Sequence, residues 1–403
     1  MIEQGLFGGS TFVLNVLLAR WLEPQQYGTF VVAYTIFLLA AAVHTALLSE
    51  PMVIFGAGKY ASQFRAYLGI VVWGHWAFAG VMVSLFGATA GVLWLRGSRD
   101  LSAALAGLAF ATPFISLLWL SRRAGYVRAR LSGVLRASAL YLFATTAFVV
   151  LLRSASLLSP LTGLMSMGAG AVVAGALLLW EIRASSDAGD RPSLRIVIAD
   201  HVSYGSWSVL ATSVYWCSGQ LLMLLIPVIL GLPAAAAAGA VLNLYRPLNT
   251  LLQSGSNVVL PELARLCWGS TLRLRDLVRH AVPFVCTVVA YALVVSLLGK
   301  PLLHTMYGGR YDQYLVLVWL FGLNYVASTI VLVFSWVLKA SGHLRSVVWV
   351  WAVSAVAVVV FAVPVLRWGG LPFAVGLMCC SYVLATITAT YRIRSLKILG
   401  SAA

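Results

Sequence analysis

The sequence predicts an all-α polytopic membrane protein with about 12 transmembrane helices, arranged as two six-helix lobes around a central cavity. Three observations predict this fold class: an apolar composition, long apolar windows along the whole chain, and a pattern that recurs in its two halves. Of the 403 residues, 61% are hydrophobic and 9% are charged, with a mean hydropathy of +0.95. A soluble chain of this size carries far more charge, so a lipid bilayer is the expected solvent.

The apolar windows have the length that a membrane-spanning helix needs. The hydrocarbon core is about 30 Å thick, and about 20 helical residues cross it. The windows lack the period-two alternation of a membrane barrel strand. Six of them precede a polar stretch and six follow it. They are residues 6–22, 29–49, 69–95, 101–120, 137–152, 161–180, 206–230, 234–260, 282–299, 315–338, 347–366 and 371–390.

Basic residues predict which side of the membrane each loop faces. Because basic loops stay in the cytoplasm, both termini are expected on that side. The net charge of +16 then reflects topology rather than a nucleic-acid partner. The loops that hold 19 of the 27 Lys and Arg residues are 50–68, 121–136, 181–205, 261–281, 339–346 and 391–403.

The two halves of the chain share a pattern. "LEPQQYGTFVVAYTIFLL" joins the first window to the second, and "GLPAAAAAGAVLNLYRPL" joins the seventh to the eighth. Each has a proline in a tight turn followed by a helix that starts with small residues. We therefore expect an N-terminal lobe at 1–180, a cytoplasmic linker at 181–205 and a C-terminal lobe at 206–403. Two lobes that rock around a cavity are a known transporter design.

The sequence has no pattern typical of an enzyme or a cofactor site. Its five cysteines lack the spacing of metal ligands and give no disulfide framework. The fragment "FGAGKY" has Val53 and Tyr60 where a phosphate-binding loop requires Gly and Ser or Thr. We expect a transporter without cofactor or metal, and not an enzyme.

Four motifs occur in order along nearly the whole chain: "LLARWLEPQQYGTFVVAYTIFLLAAA", "VVLPELARL", "MYGGRYDQY" and "VLKASGHLRSV". They resemble, in the same order, motifs of the polysaccharide flippases, which transport O-antigen and exopolysaccharide precursors. This family belongs to the multidrug/oligosaccharidyl-lipid/polysaccharide exporter superfamily.

This resemblance implies a V-shaped, twelve-helix transporter in the bacterial inner membrane. It implies that the cargo is an undecaprenyl-pyrophosphate-linked glycan, turned from the inner to the outer leaflet by alternating access for O-antigen (lipopolysaccharide) or exopolysaccharide synthesis. Membrane lipids, a polysaccharide polymerase and glycosyltransferases are the implied partners. One departure is that Met1 stands almost at the first helix, where the family usually has a basic amphipathic stretch. A start that lies late in the natural chain is the expected explanation.

A polar stripe in the eighth window marks the candidate binding site. The spacings of 3, 4, 3 and 4 place its members on one helical face, which we expect to line a cavity or a partner helix. Pro247 lacks an N–H, frees the carbonyl of Asn243 and permits a bend. Arginine's planar fork suits phosphate oxygens, although Arg246 could instead satisfy neighbouring helix carbonyls. The stripe consists of Asn243, Arg246, Thr250, Gln253 and Asn257.

The first window offers Asn15 and Arg20 as further substrate-binding candidates, although Arg20 could simply extend to the headgroups. His44 and His75 could carry a coupling proton, and the more frequent role of such residues is packing. All eleven acids lie outside the predicted spans, which favours an anionic cargo over a cationic drug. The alternatives left open are a drug or metabolite antiporter on the same scaffold and a non-transporting scaffold for glycan-assembly enzymes.

Overall fold

The described part of the chain is helical, with no strand. The computed structural model describes residues 2–183, 192–252, 259, 263, 274–396 and 398, and it confirms the predicted all-α polytopic fold. In chain order the helices are α1 (Ile2–Trp21), α2 (Pro24–His44), α3 (Glu50–Ala57), α4 (Phe64–Leu95), α5 (Arg99–Val127), α6 (Leu131–Ser154), α7 (Pro160–Arg183), α8 (Leu194–Gly219), α9 (Leu221–Leu230), α10 (Leu232–Leu244), α11 (246–252), α12 (Leu274–Leu297), α13 (Gly299–Tyr307), α14 (Leu315–Ala340) and α15 (Leu344–Ser395).

Seven helical segments of the described chain are long and apolar enough to cross a membrane, or up to nine if each of two bent pairs is one span. The bent pairs are α8 with α9, at 42°, and a pair formed by Ala281–Leu297 and α13, at 68°. Helices α1 and α10 fall outside this set. The count of twelve spans therefore stays a prediction.

Helix α15 contains the last two predicted spans. Gly370 interrupts its 52 residues with φ +63° and ψ −153°, a backbone conformation that favours glycine. Pro372 follows closely and cannot donate a backbone hydrogen bond. The helix is thus divided at the boundary between the predicted windows 347–366 and 371–390.

The chain folds into two compact units, Met1–Ser213 and Val214–Ala403. The division falls within α8, whereas the predicted linker was 181–205. Residues 184–191 of that linker lie outside the described residues, and Leu194 already begins α8. The first part of α8 packs in the first unit, because a Cβ on Gly205 would lie 3.1 Å from Leu47 Cδ2.

The core of the first unit depends on a close approach of α5 and α7. A Cβ on Gly107 would lie 2.8 Å from the carbonyl oxygen of Leu161, and one on Gly168 would lie 2.9 Å from the α-carbon of Ala111. Small residues allow helix backbones to approach this closely, which gives apolar helices extensive van der Waals contact. In the second unit, α14 packs against α10, α12 and α15.

Candidate anion-binding site

A helix break in the second unit carries Arg246. Helix α10 ends at Leu244, Tyr245 forms a turn, and the chain is helical again over 246–252. Pro247 follows the turn and has no N–H to continue the ladder. The interruption agrees with the bend expected from Pro247. The carbonyl of Leu244 accepts a hydrogen bond of 2.9 Å from the phenol of Tyr291.

Tyr245 anchors this break to two other helices. Its side chain is fully buried, and its hydroxyl donates to the carbonyl of Val318 on α14 at 2.6 Å. The same oxygen lies 3.1 Å from Ser296 Oγ on α12. Its ring stacks on that of Tyr325, with centroids 5.4 Å apart. The residue before Arg246 is therefore held by several directed contacts.

Asn243 links the end of α10 to α13. The residue is fully buried, and its Nδ2 donates to the phenol oxygen of Tyr307 at 3.4 Å. Tyr307 in turn donates to the carbonyl of Ala240 at 2.9 Å. Asn243 thus packs against a partner helix. The sequence predicted that the polar stripe would face either a cavity or a partner helix.

Arg246 is half-buried beside two of these phenols. It lies close enough to Tyr307 and Tyr325 to interact electrostatically with both. Thr250, one turn later, is also half-buried. The turn at Tyr245 separates Asn243 from Arg246 and Thr250. Gln253 and Asn257, the other members of the predicted stripe, lie outside the described residues.

The two candidates on α1 are placed differently from each other. Asn15 is buried; its Nδ2 donates to the carbonyl of Thr11 at 2.8 Å, and its Oδ1 accepts from Tyr27 at 3.2 Å. Its amide therefore joins α1 to α2. Arg20 is exposed one residue before the end of α1. A role for either residue in substrate binding stays a prediction.

Glu50, which follows the predicted second span, lies within a continuous helical run, Pro24–Ala57, that is longer than a membrane crossing needs. Ser208 Oγ donates to Glu50 Oε2 at 2.5 Å, and Arg123 interacts electrostatically with the same carboxylate. The helix continues because a π-helical turn, Thr45–Ser49, joins α2 to α3. Arg123 therefore lies near enough to offset the charge of Glu50.

Four tyrosines around the helix break were missed by the sequence analysis. They come from four different elements, and their hydroxyls fix the backbone or amides near Arg246. The "MYGGRYDQY" motif contained a signal, since it includes Tyr307. Tyr245 lies in the repeated stretch "GLPAAAAAGAVLNLYRPL", whereas Tyr291 and Tyr325 carried no distinct pattern in an apolar chain. The four are Tyr245, Tyr291, Tyr307 and Tyr325.

This chain is similar to solved transporter structures over nearly its whole length. A multidrug resistance MATE family transporter of the MOP superfamily, in an inward-facing conformation, matches with a TM-score of 0.75 and 12% identity, over 99% of this chain and 96% of that one. Lipid II flippase MurJ, in an inward closed conformation, matches with a TM-score of 0.75 and 11% identity, over 99% and 87%. A MOP superfamily transporter from Pyrococcus furiosus, described by a reverse polarity of its binding pocket, has a TM-score of 0.64 and 12% identity, over 98% and 94%.

No protein-family model matches the chain, and no curated protein matches it. Because the solved structures are less than 25% identical to this chain, the comparison shows its fold and does not show its cargo. That fold is the one these MATE and MurJ structures share, which confirms the predicted all-α polytopic fold class. The structures that share it are described as transporters or, for MurJ, as a flippase.

Proposed function

We propose that the protein is a flippase that moves a lipid-pyrophosphate-linked oligosaccharide from the inner to the outer leaflet. The proposed location is the bacterial inner membrane with both termini in the cytoplasm. The cargo is an undecaprenyl-pyrophosphate glycan for O-antigen or exopolysaccharide synthesis, used together with glycosyltransferases and a polymerase. Alternating access of the two lobes around a cavity is the proposed mechanism.

The main support for this proposal is the position of Arg246. It is half-buried and lies at a helix break that is held by hydrogen bonds from four tyrosines. An arginine within a membrane helix costs about 2.5–3.5 kcal/mol on insertion scales, and an anionic ligand offsets that cost. Arg246 is presented by a pre-organised backbone, so little conformational freedom is lost when a ligand binds. A guanidinium can pair with two oxygens of a diphosphate, which gives it geometric selectivity as well as charge.

The solved structures are equally consistent with a lipid cargo and with a drug cargo. MurJ is described as a flippase for lipid II, and the MATE protein as a multidrug transporter. The Pyrococcus furiosus protein is described by the polarity of its binding pocket, so pocket charge is a reasonable criterion among proteins of this fold. The positive charge of Arg246 favours the lipid diphosphate. The neighbourhood of Glu50 does not favour a cation, because Arg123 offsets its charge.

The proposal is tested by deleting the gene. The deletion strain should lose surface polysaccharide and accumulate lipid-linked glycan inside the cell, and the wild-type gene should restore both. Growth with cationic dyes or quaternary amines should not change. Normal surface polysaccharide together with clear sensitisation to the cations would instead support the drug antiporter. Normal polysaccharide and unchanged drug sensitivity would contradict both transport functions.

A further inference from the structure

Two histidines form a buried pair in the first unit. His44, the last residue of α2, and His75, within α4, are both fully buried. His44 Nε2 lies 2.9 Å from His75 Nδ1, and the rings are nearly perpendicular at 87°. His75 is the twelfth residue of α4, about 17 Å along the helix from its start. The pair therefore lies deep within an apolar helix bundle.

The hydrogen bonding of this pair is incomplete. A neutral imidazole has one N–H donor and one lone-pair acceptor. The two rings share one hydrogen across the 2.9 Å contact, so one of the two outer nitrogens carries a hydrogen and the other a lone pair. These outer atoms, His44 Nδ1 and His75 Nε2, are buried and have no hydrogen-bond partner among the described residues. The carbonyl of Pro113 on α5 interacts with His75 as a backbone acceptor, outside the distance and angle limits of a full hydrogen bond.

A third histidine in the same unit has the complete hydrogen bonding that is expected of a histidine with a packing role. His201 on α8 is also buried, but both of its ring nitrogens have partners. Its Nε2 lies 2.7 Å from the hydroxyl of Tyr67, and its Nδ1 lies 3.1 Å from the carbonyl of Leu47. Since buried polar atoms normally find partners, the two unpartnered nitrogens of the His44–His75 pair call for an explanation.

The charged groups nearest the pair are opposite in sign. Arg123 on α5 faces His44, and Glu50 on α3 faces Arg123. Ser208 on α8 donates to Glu50, and Tyr204 on the same helix lies within electrostatic range of it. Arg123 is thus the charged group that acts on His44, and Glu50 is the counter-charge of Arg123.

We propose that His44 and His75 form a proton-binding site that takes up one proton per protein during the transport cycle. The proton adds to the lone pair of the outer nitrogen, no bond breaks, and the product is an imidazolium that keeps its N–H···N bond to the other ring. The geometry of the pair is the evidence for proton binding. Its role in the cycle rests on the proposed transport function.

The backbone beside the pair can respond to this change. The π-helical turn Thr45–Ser49 begins at the residue after His44. Such turns are rare in proteins, and those that occur are often found at functional sites. The carbonyl of Leu47 in this turn contacts His201, so the turn is held by α8. A charge at His44 would act directly on the junction between α2 and α3.

Nitrogen NMR of the full chain in lipid nanodiscs, with ¹⁵N-labelled histidine, tests the site. Between about pH 4 and pH 8, the ring nitrogens of His44 and His75 should change together, with an uptake of one proton. The change should disappear in His44→Gln and in His75→Gln, and it should persist in the matched control His201→Gln. Rings that stay neutral over this range, or that titrate independently, would overturn the proposal. The wild-type protein supplies this result, so it does not depend on the folding of a variant.

A second measurement separates this inference from the proposed function. Surface polysaccharide in the deletion strain should be lost with His44→Gln and retained with His304→Gln, which changes an exposed histidine of α13, at equal membrane levels of protein. If the pair titrates but the gene has no effect on polysaccharide, the flippase proposal fails and the proton site stands. If polysaccharide depends on the gene but the pair does not titrate, the proton site alone is wrong.

Discussion

Asn243 donates a hydrogen bond to the phenol oxygen of Tyr307 at 3.4 Å, and Tyr307 passes its own hydrogen to the carbonyl of Ala240 at 2.9 Å. The residues lie 64 positions apart, and their contact fixes α13 against the end of α10. Arg246 follows Asn243 by about one helical turn and lies within electrostatic range of the same phenol. The position of the candidate ligand group thus depends on this pair.

Tyr307→Phe should lower stability because it removes the hydroxyl from a buried pair. A buried polar group left without its partner costs about 1–3 kcal/mol, so the melting temperature in detergent should fall and surface glycan should decrease. Tyr311→Phe is the matched control: its hydroxyl is buried without a partner among the described residues, so the change should be neutral or slightly stabilising. Equal losses in both variants would contradict the role of Tyr307.

Variants of Arg246 should rank by charge and geometry. Arg246→Ala should weaken cargo binding by about 1.5–3 kcal/mol, or about 10- to 100-fold. Arg246→Lys should keep part of the activity because it loses the bidentate fork. Arg246→Glu should be at least as inactive as alanine. The measurement is surface polysaccharide in the complemented deletion strain. Thr250→Ala should cause a smaller loss of polysaccharide than Arg246→Ala, and Arg96→Ala, at an exposed arginine, should cause none. Full activity of Arg246→Ala would reduce Arg246 to a structural residue.

The buried ion pair of the first unit should contribute much more to stability than an exposed one. Arg122 Nε and Nη2 donate to Glu3 Oε1 at 2.8 and 2.5 Å, and both side chains are almost buried. Arg122→Ala removes the cation of this pair and leaves the Glu3 carboxylate with hydrogen bonds from Tyr126 and Ser138. The cost should therefore lie toward the lower end of about 3–5 kcal/mol. Arg136→Ala removes the exposed arginine of a pair with Glu181 and should cost at most about 1 kcal/mol. Thermal unfolding of the two variants side by side measures the difference, and similar midpoints would refute it.

The close approach of α5 and α7 predicts opposite effects of one substitution at two glycines. Gly107→Ala places a methyl group 2.8 Å from the backbone oxygen of Leu161, so the helices must separate and stability should fall. Gly91→Ala meets nothing within 4 Å, and alanine stabilises a helix interior by up to about 1 kcal/mol. Melting temperatures should therefore move in opposite directions. A stable Gly107→Ala protein would show that this packing is looser than the structure indicates.

The helical fold and the helix break were accessible from sequence because both depend on local chemistry. Apolar windows of membrane length predict helices, and Pro247 removes one donor from a helix ladder. The division of α15 at Gly370 coincides with a boundary between two predicted windows. Each of these features depends on residues that are near one another in the chain.

The surroundings of the candidate site were not accessible because they depend on tertiary contacts. The hydroxyl of Tyr245 meets Val318, 73 residues away, and Asn15 is engaged by Tyr27 on the next helix. Spacing alone cannot distinguish a polar side chain that packs against a helix from one that binds cargo. The continuation of the helix from α2 through Glu50 was not predicted because nothing in the sequence marked the π-helical turn before it.

Flipping by the purified protein tests the central claim most directly. Proteoliposomes would carry a fluorescent polyprenyl-diphosphate-linked glycan in both leaflets, and an impermeant quencher outside would report how much reaches the outer leaflet. Wild-type protein should expose the whole lipid pool, Arg246→Glu should do so at least about tenfold more slowly, and the same lipid with a neutral alcohol headgroup should not move. Quenching with wild-type protein no faster than in protein-free liposomes, or equally fast for the neutral lipid, would contradict the account.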